Sequence, residues 1–559
     1  MSALARLRFR AANAVWLAGQ RAGHRAFLAA LGLPARMQAA RLHATLERNA
    51  ESDYGRRYGF ARIRTFREYQ DAVPIVGGDD LAPWIDAIKA GRRNVLTTER
   101  VLMLETTGGS TGGARYVPYT QSLLGEFRKA LAAWTRDLYG HRPALATGGA
   151  YWSVSPLARA REVTAGGIPV GFDDDTRYFG RLGRRALRHL ILTPPELAGV
   201  EDIVASRYVT LRFLLDAADL AFVSVWNPSF LTLLVGGLDL WAERLVEDVG
   251  RGTLTPPAPL PPPLAAALAR RLSPRPARAA ALRALLARAG RLRPVEVWPR
   301  LGLISCWASG AAARFLPELE AAFPGVEVQG KGLLATEGVV SIPLVGRPGG
   351  AVAITSHFCE FADVDAPTRR PRLVHELERG RLYSVILTTG GGLYRYALGD
   401  VVTVVGRVGA TPLIEFVRRS GVVSDLCGEK LTEAHVTRAL DAATAGLGLR
   451  CAFLMVAPEL ASPPYYAVFA EAPAVSEATL ARLALEVDRG LHESPSYAYC
   501  RRLGQLGAMR AVRVHRGGAA TYVDRCARLG QRAGDVKPSV LHAMPGWSAH
   551  LNGVQGVLF

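Results

Sequence analysis

Apolar positions along the chain follow two spacings, one typical of helices and one typical of strands. Residues 1–50 place Phe27 and Leu31 before Pro34, and then Leu42 and Leu46, at helical intervals among Arg and Ala, which predicts helices at the start of the chain. From about Arg100 onward, short β-rich runs alternate with helical ones, and this alternation predicts a large α/β domain. The predicted strands are Val101–Leu104, Ala221–Val225, Leu301–Cys306, Ala351–Thr355, Leu382–Leu387 and Val401–Val405.

Two unusual stretches refine this outline. Leu220–Leu238 carries no charge, but Asn227 and Pro228 interrupt its centre. This favours a buried strand ending at Val225, followed by a helix capped near Asn227, over a membrane span. Six of the eight residues of Pro256–Pro263 are proline, which predicts an exposed connector without a helix or a central strand.

The chain is predicted to contain two domains. Near Arg418–Gly421 the pattern changes to a compact α/β segment. The large domain is predicted to cover residues 1–418, with the proline-rich connector at about 251–277, and the small domain residues 419–559. The small domain should contain a helix at Glu433–Ala445, a strand at Tyr465–Ala470 and a helix at Ser476–His492.

Arginine supplies most of the positive charge of this 559-residue chain, whose 68 basic and 49 acidic residues give a net charge of +19. The Arg residues are scattered and not interleaved with aromatic residues, so they indicate solvated helix faces, with nucleic-acid binding as the minor alternative. The six Cys residues form no CxxC pair and show no zinc-ligand spacing, which is typical of small core residues in a reducing compartment. A continuous apolar signal segment is lacking. We therefore expect a soluble, cytoplasmic monomer. Only five basic residues are Lys: Lys89, Lys129, Lys331, Lys430 and Lys537.

The most informative stretch is a loop rich in glycine and hydroxyl groups at Thr106–Gly113. Glycines let successive backbone N–H groups turn toward one anion, so such a loop can hold a polyphosphate. It is not a Walker loop, because Ala114 and Arg115 follow where Lys and Ser or Thr are required. A hydrolase nucleophile elbow would need a helix starting at Ser110, whereas Gly112 and Pro118 favour a hairpin.

Four segments, taken in order, resemble the auxin-responsive Gretchen Hagen family of acyl acid amido synthetases, within the adenylate-forming superfamily. Thr106–Pro118 resembles the family's phosphate loop, and Gly332–Gly338 its adenine and Mg²⁺ segment. Leu393–Val402 resembles its ribose motif, and Asp425–Glu433 the segment after its interdomain hinge. Gly109 and Arg115 depart from the family pattern, where a hydroxyl residue and Lys are usual. Because Arg is a planar fork and Lys a point charge, the second departure alters the geometry of an anion site.

The resemblance implies an α/β fold, with a large adenylate-forming N-terminal domain of mixed sheets and helices and a smaller, mobile α/β C-terminal domain. It implies that ATP and Mg²⁺ activate a small-molecule carboxylic acid, which then reacts with an amine or amino acid, without a nucleic acid or a membrane span. Glu337 would bind the metal, because Mg²⁺ prefers oxygen ligands, and Asp400 would accept the ribose hydroxyls. The implied catalytic residues are Lys430, Lys537 and Arg395, and the implied ATP-binding residues are Thr107, Gly108, Ser110, Thr111, Gly112, Arg115, Ala335, Thr336, Asp400 and Phe416.

Several alternatives remain open at this point. The protein could instead form thioesters with CoA, or bind adenylates or nucleic acid without catalysis. Lys430 and Lys537 could be ordinary surface residues, Lys331 could be structural, and Arg395 could be a strand residue stacked on aromatic rings. His357 and Cys359 could suggest a metal site, but two neighbouring ligands do not complete one, so core packing is favoured. Phe127, Leu131 and Trp134 could face an acyl chain, in a pocket also lined by Tyr151–Arg177, or face the core, which we favour.

Overall fold

The computed structural model describes most of the chain, which forms two compact units. The first comprises residues 1–107, 114–309 and 320–417, and the second residues 108–113, 310–319 and 418–559. The residues that the structure describes are 3–107, 115–153, 162–171, 180–366, 368–419, 423–424, 426, 429, 431–472, 474–502, 506–529, 531, 536 and 539–551.

Helices open the first unit, as the apolar spacing predicts. The first helix ends at Ala30, and the next begins with Pro34 in its first turn, where the missing N–H costs nothing. Thr65 and Glu68 form a capping box that fixes the start of the fourth. The helices are α1 (Ala3–Ala30), α2 (Pro34–Arg48), α3 (Asp53–Arg57), α4 (Phe66–Ala72) and α5 (Gly78–Lys89).

Two sheets follow, one mixed and one parallel. The mixed sheet has the strand order β2-β1-β5-β4, and the parallel sheet the order β3-β6-β7-β8. The strands are β1 (Met103–Thr107), β2 (Arg115–Tyr119), β3 (Gly149–Trp152), β4 (Glu162–Val163), β5 (Pro169–Val170), β6 (Leu220–Ser224), β7 (Leu303–Cys306) and β8 (Glu327–Gly330). The helices among them are α6 (Gln121–His141), α7 (Gly180–Leu190), α8 (Ile203–Leu215), α9 (Pro228–Leu240), α10 (Ala242–Arg251), α11 (Pro262–Ala269), α12 (Pro276–Ala289), α13 (Pro294–Val297) and α14 (Leu316–Ala322).

The two unusual stretches have different outcomes. The strand and capped helix predicted for the uncharged stretch are confirmed, because β6 ends at Ser224 and the Asn227 side chain accepts a hydrogen bond from the Ser229 N–H. The proline-rich stretch was predicted to exclude a helix, and this is wrong at its end. Helix α11 begins at Pro262, since the first turn of a helix tolerates proline. Among the described residues, no helix combines the length and apolarity needed to cross a membrane.

A seven-stranded sheet completes the first unit, with the order β11-β12-β17-β16-β15-β13-β14, beside a small hairpin of β9 and β10. Its strands and helices α1–α6 share one apolar core. The strands are β9 (Leu334–Ala335), β10 (Gly338–Val339), β11 (Ser341–Ile342), β12 (Gly350–Val352), β13 (Phe358–Asp363), β14 (Arg372–Leu373), β15 (Leu382–Thr388), β16 (Tyr396–Val408) and β17 (Thr411–Arg419).

The second unit has its own sheet, of order β20-β21-β22, and its own core. The helix, strand and helix predicted after Arg418 are confirmed as α15, β21 and α16. The α/β fold class is therefore confirmed for both units. The elements are β18 (Val423–Ser424), β19 (Leu431–Thr432), α15 (Glu433–Gly446), β20 (Phe453–Glu459), β21 (Tyr465–Glu471), α16 (Glu477–Leu491), α17 (Pro495–Arg502), β22 (Arg510–Arg513), α18 (Gly518–Arg528) and α19 (Ser548–Leu551).

Candidate active site

Two antiparallel strands frame the glycine-rich loop. Strands β1 and β2 pair with Thr107 opposite Arg115, so the hairpin prediction is confirmed. A strand follows the loop, whereas a hydrolase elbow requires a helix there. The predicted phosphate-binding residues Gly108, Ser110, Thr111 and Gly112 lie outside the described residues. The structure therefore places the ends of this loop.

Arg115 stands at the start of β2, beside the first turn of α5. Its guanidinium lies 3.4 Å from the Asp79 carboxylate, and its side chain is 39% exposed. An exposed ion pair of this length contributes little to stability. Arg115 is therefore not held firmly by this contact.

Thr336 and Glu337 form the two-residue turn of a tight hairpin, because Ala335 of β9 pairs with Gly338 of β10. The Tyr119 hydroxyl, at the end of β2, donates a 2.7 Å hydrogen bond to the main-chain oxygen of Thr336. The hydrogen bond thus joins the end of β2 to the turn of this hairpin within the first unit. Glu337 is buried, so this hairpin places a carboxylate in a sheltered position.

A buried His–Glu pair forms hydrogen bonds that hold the same hairpin in place. His357 Nε2 accepts a 2.9 Å hydrogen bond from the Val339 N–H, and His357 Nδ1 lies 2.8 Å from a Glu126 carboxylate oxygen. Because Nε2 accepts, the ring proton must be on Nδ1, where it donates to Glu126. Glu126 also accepts from the Gly390 N–H. These contacts occupy both nitrogens of His357, in agreement with the favoured core role of this residue.

Asp400 lies at an irregularity in β16. Ser384 and Ile386 of β15 pair with Val401 and Ala397, so one residue of β15 faces three residues of β16. Gly399 makes this possible with φ +78°, a conformation that favours glycine. Such bulges re-aim side chains and occur next to active sites. Asp400 is 1% exposed, and the bulge decides which way its carboxylate points.

Arg395 makes structural contacts with α4 and with the seven-stranded sheet. Its φ is +48°, and its guanidinium lies 3.1 Å from Glu360 and donates to the main-chain oxygens of Gln70 and Val73. Burial raises the pKa of Glu360, and Arg395 opposes that effect. These contacts tie the end of α4 to the sheet. The catalytic role assigned to Arg395 from the sequence stays a prediction.

The remaining predicted residues are dispersed along the chain. Phe416 lies on β17, half-buried against the core of the first unit, and Ala335 is half-buried on β9. Lys430 and Lys537 lie outside the described residues. Phe127, Leu131 and Trp134 of α6 are buried in the core, as favoured from their spacing.

The donor chemistry of these segments fits a nucleotide with Mg²⁺. Hard cations prefer oxygen ligands, and Mg²⁺ is usually held by one or two carboxylates together with substrate phosphates. Glu337 supplies such a carboxylate. Within the described part of the chain, no group of three His, Cys, Asp or Glu residues lies close enough together to hold a metal ion.

The fold matches solved structures along almost its whole length. A structure of GH3.15 acyl acid amido synthetase aligns with a TM-score of 0.77, covering 93% of this chain and 94% of the other at 20% identity. A structure of AtGH3.15 acyl acid amido synthetase in complex with 2,4-DB gives a TM-score of 0.79 at the same coverage and identity. The chain therefore shares the fold of these synthetases.

The sequence matches the GH3 family N-terminal domain over residues 24–328, its central domain over 350–419 and its C-terminal domain over 434–544. The chain belongs to the GH3 family, and it is a ligase of the adenylate-forming type. A probable indole-3-acetic acid-amido synthetase from Oryza sativa subsp. japonica is 27% identical over 90% of both chains. An indole-3-acetic acid-amido synthetase from Oryza sativa subsp. indica is 27% identical over 80% of this chain and 78% of its own length.

Proposed function

We propose that the protein joins a small carboxylic acid to the amino group of an amino acid in two steps, the first of which consumes ATP. A carboxylate does not acylate amines at neutral pH, because it is a poor electrophile with a poor leaving group. In the first step its oxygen attacks the α-phosphorus of ATP, which gives acyl-AMP and releases pyrophosphate. In the second, the amine attacks the acyl carbon, the C–O bond to AMP breaks, and the amine loses a proton.

One contact carries this proposal, namely the hydrogen bond from Tyr119 to Thr336. It joins β2, the strand that follows the glycine-rich loop in the chain, to the hairpin with the sheltered Glu337. Adenylyl transfer depends chiefly on positioning and on neutralising phosphate charge. A rigid link between the phosphate-binding and metal-binding segments is therefore what this chemistry requires.

The predicted residues other than Arg395 have the following roles in this scheme. Thr107, Gly108, Ser110, Thr111 and Gly112 hold the phosphates, Arg115 adds a cation, and Ala335, Thr336 and Phe416 contact the adenosine. Glu337 holds Mg²⁺, which when bound neutralises phosphate charge, and Asp400 accepts from the ribose hydroxyls. Lys430 and Lys537 neutralise charge on the α-phosphate, each in a different half-reaction. The support for this role is compositional, since Lys is rare in this Arg-rich chain and its ammonium is a compact point charge.

Carboxylate-dependent exchange of labelled pyrophosphate into ATP tests the first step. Exchange should occur with at least one acid from a panel of aryl, indolyl and fatty acids, and Asp400→Asn and Glu337→Gln should each lower it by about 100-fold or more. Asp363→Asn is the matched control, because Asp363 is an equally sheltered carboxylate of the same seven-stranded sheet, paired with Arg381. Full exchange in both site variants would refute the assignment.

Product analysis tests the second step. Once an accepted acid is known, the enzyme is supplied with amino acids or with CoA. We expect an amide, detected by mass spectrometry, and no thioester. If a thioester with CoA is the only product, the adenylation step of the proposal stands, but the acceptor is CoA and not an amine.

A further inference from the structure

A buried row of polar and aromatic side chains crosses the parallel sheet. Trp152, Ser224, Ser305 and Gln329 are direct partners on neighbouring strands, so their side chains lie on the same face of the sheet. Trp134 of α6 covers this face, since its Nε1 donates a 2.9 Å hydrogen bond to Gln329 Oε1. The row stands at the carboxyl ends of the strands, the edge at which open α/β sheets bind ligands.

Lys331, two residues after Gln329, adds an amine to this face. Its Nζ donates a 2.6 Å hydrogen bond to Ser224 Oγ and lies 5.3 and 5.2 Å from the ring centres of Trp134 and Trp226. Lys331 is 6% exposed, and among the described residues no carboxylate lies within ion-pair distance of it. Burial lowers its pKa to about 7. A buried ammonium without a counter-ion is costly, and an acceptor on a bound ligand would offset that cost.

Ser305 provides a second, independent sign of a missing partner. Its hydroxyl is fully buried, and it has no hydrogen-bond partner within the described part of the chain. Ser305 is the direct neighbour of Ser224, which holds Lys331. Buried hydroxyls without partners are uncommon in native proteins and call for an explanation. Trp226, whose ring lies beside Lys331, and Trp307, whose ring lies 5.7 Å from that of Trp226, are both partly exposed.

We propose that Lys331, Ser224 and Ser305 form a polar subsite that binds a hydrogen-bond acceptor on the acid substrate, at a position other than its reacting carboxylate. The inference rests on the proposed function. The acid is aromatic, with its ring against the partly exposed indole of Trp226, and carries a hydroxyl, a carbonyl or a second carboxylate.

The chemistry disfavours the reacting carboxylate as the occupant. An ammonium that pairs with that carboxylate stabilises it before reaction and weakens its attack on phosphorus, which works against catalysis. A second acceptor undergoes no reaction, so binding it improves recognition without this penalty. A site whose buried polar groups lose their partner rejects the analogue that lacks the acceptor. Lys331 and Ser305 are therefore specificity-determining residues.

Acids of matched size test the subsite. Pyrophosphate exchange is measured with 4-methylphenylacetate, 4-hydroxyphenylacetate and 4-carboxyphenylacetate, which differ at one position of the ring. The wild-type enzyme should prefer at least one of the last two by about 10- to 100-fold in kcat/KM over the methyl acid. Lys331→Met and Ser305→Ala should reduce this preference, mainly through KM, while exchange with the methyl acid is retained.

Two features make this test decisive. Ser305→Ala removes a hydroxyl without a partner, so thermal unfolding should be unchanged even if Lys331→Met is destabilised. Ser356→Ala is the matched control, because Ser356 is another fully buried hydroxyl without a described partner, located between β12 and β13.

The outcomes separate the two proposals. An unchanged preference in Ser305→Ala and Lys331→Met, or no preference in the wild-type enzyme, would overturn the subsite. An equal loss of pyrophosphate exchange with all three acids would also overturn the subsite, because it would mean that Lys331 acts on the reacting carboxylate. Absence of exchange with these and all other acids would instead count against the proposed function.

Discussion

The hydroxyl of Tyr119 donates to the main-chain oxygen of Thr336 over 2.7 Å, although the two residues are 217 positions apart. Tyr119 is fully buried at the end of β2, and Thr336 is half-exposed at the tip of a hairpin. The contact therefore joins the turn of the second segment to a buried side chain at the end of the first. Its removal should affect nucleotide binding more than folding.

Tyr119→Phe should raise the KM for ATP by about 5- to 20-fold, because loss of one hydrogen bond lets the Thr336–Glu337 turn move. The free energy of unfolding should fall by only about 1 kcal/mol. Tyr208→Phe is the control, since Tyr208 donates an equally short hydrogen bond to Asp248 in the α8–α10 region. Equal KM values in the two variants would show that the Tyr119 contact is only structural.

Glu126→Gln should weaken both ATP binding and stability. The carboxylate accepts from His357 Nδ1–H and from the Gly390 N–H, and an amide offers one oxygen in place of two. One buried donor therefore loses its partner, at a cost of about 1–3 kcal/mol in the free energy of unfolding. Asp137→Asn, on the same helix and also accepting from a backbone N–H, should destabilise the protein without changing the KM for ATP. A similar KM in both variants would contradict this role of Glu126.

Gly399→Ala should lower ATP affinity beyond its effect on stability. A left-handed φ costs a residue with a Cβ about 1–2 kcal/mol, and relaxation of the bulge would turn the neighbouring Asp400 away. Gly346 has φ +74° and open space where a Cβ would stand, so Gly346→Ala carries the same backbone cost in the turn between β11 and β12. Denaturant unfolding and the KM for ATP distinguish the two, and equal KM values would refute the role of the bulge.

The contribution of Lys331 to stability should depend on pH. Its pKa falls from 10.5 in the unfolded chain to about 7 in the folded protein, because burial disfavours the charged form. Below about pH 7 both states hold the proton, and the burial penalty is complete. Between about pH 7 and 10.5 the unfolded chain binds more protons, so stability rises with pH. Unfolding midpoints of the wild-type enzyme relative to Lys331→Met should therefore increase from about pH 6 to about pH 9, and a flat difference would contradict the buried amine.

Much of the fold follows from local signals in the sequence. The Asn227–Pro228 cap, the hairpin around the glycine-rich loop and the α15, β21 and α16 elements depend on caps, turns and spacing between near neighbours, which a sequence displays directly. The start of α11 at Pro262 was missed because a run of prolines outweighs the one position at which a helix accepts them.

The candidate site was only partly predictable for a different reason. Motifs located Thr336, Glu337 and Asp400 in the chain, but the contact between Tyr119 and Thr336 joins remote segments and leaves no local pattern. The same holds for Ser224, Ser305 and Gln329, which are ordinary residues in three separate strands and meet only through register. The rarity of Lys was a usable signal for Lys331, but its burial between two indoles was not visible in the sequence.

The uneven pairing around Gly399 also bears on how this family could lose activity. Strand side chains alternate with a period of two. Deletion of Gly399 and Asp400 would therefore leave all the remaining pairs of β15 and β16 in place. A descendant with this deletion would retain an intact sheet and a family-like sequence while lacking the carboxylate of Asp400. An inactive branch would therefore be recognised by strand length at this point, and not by any loss of foldedness.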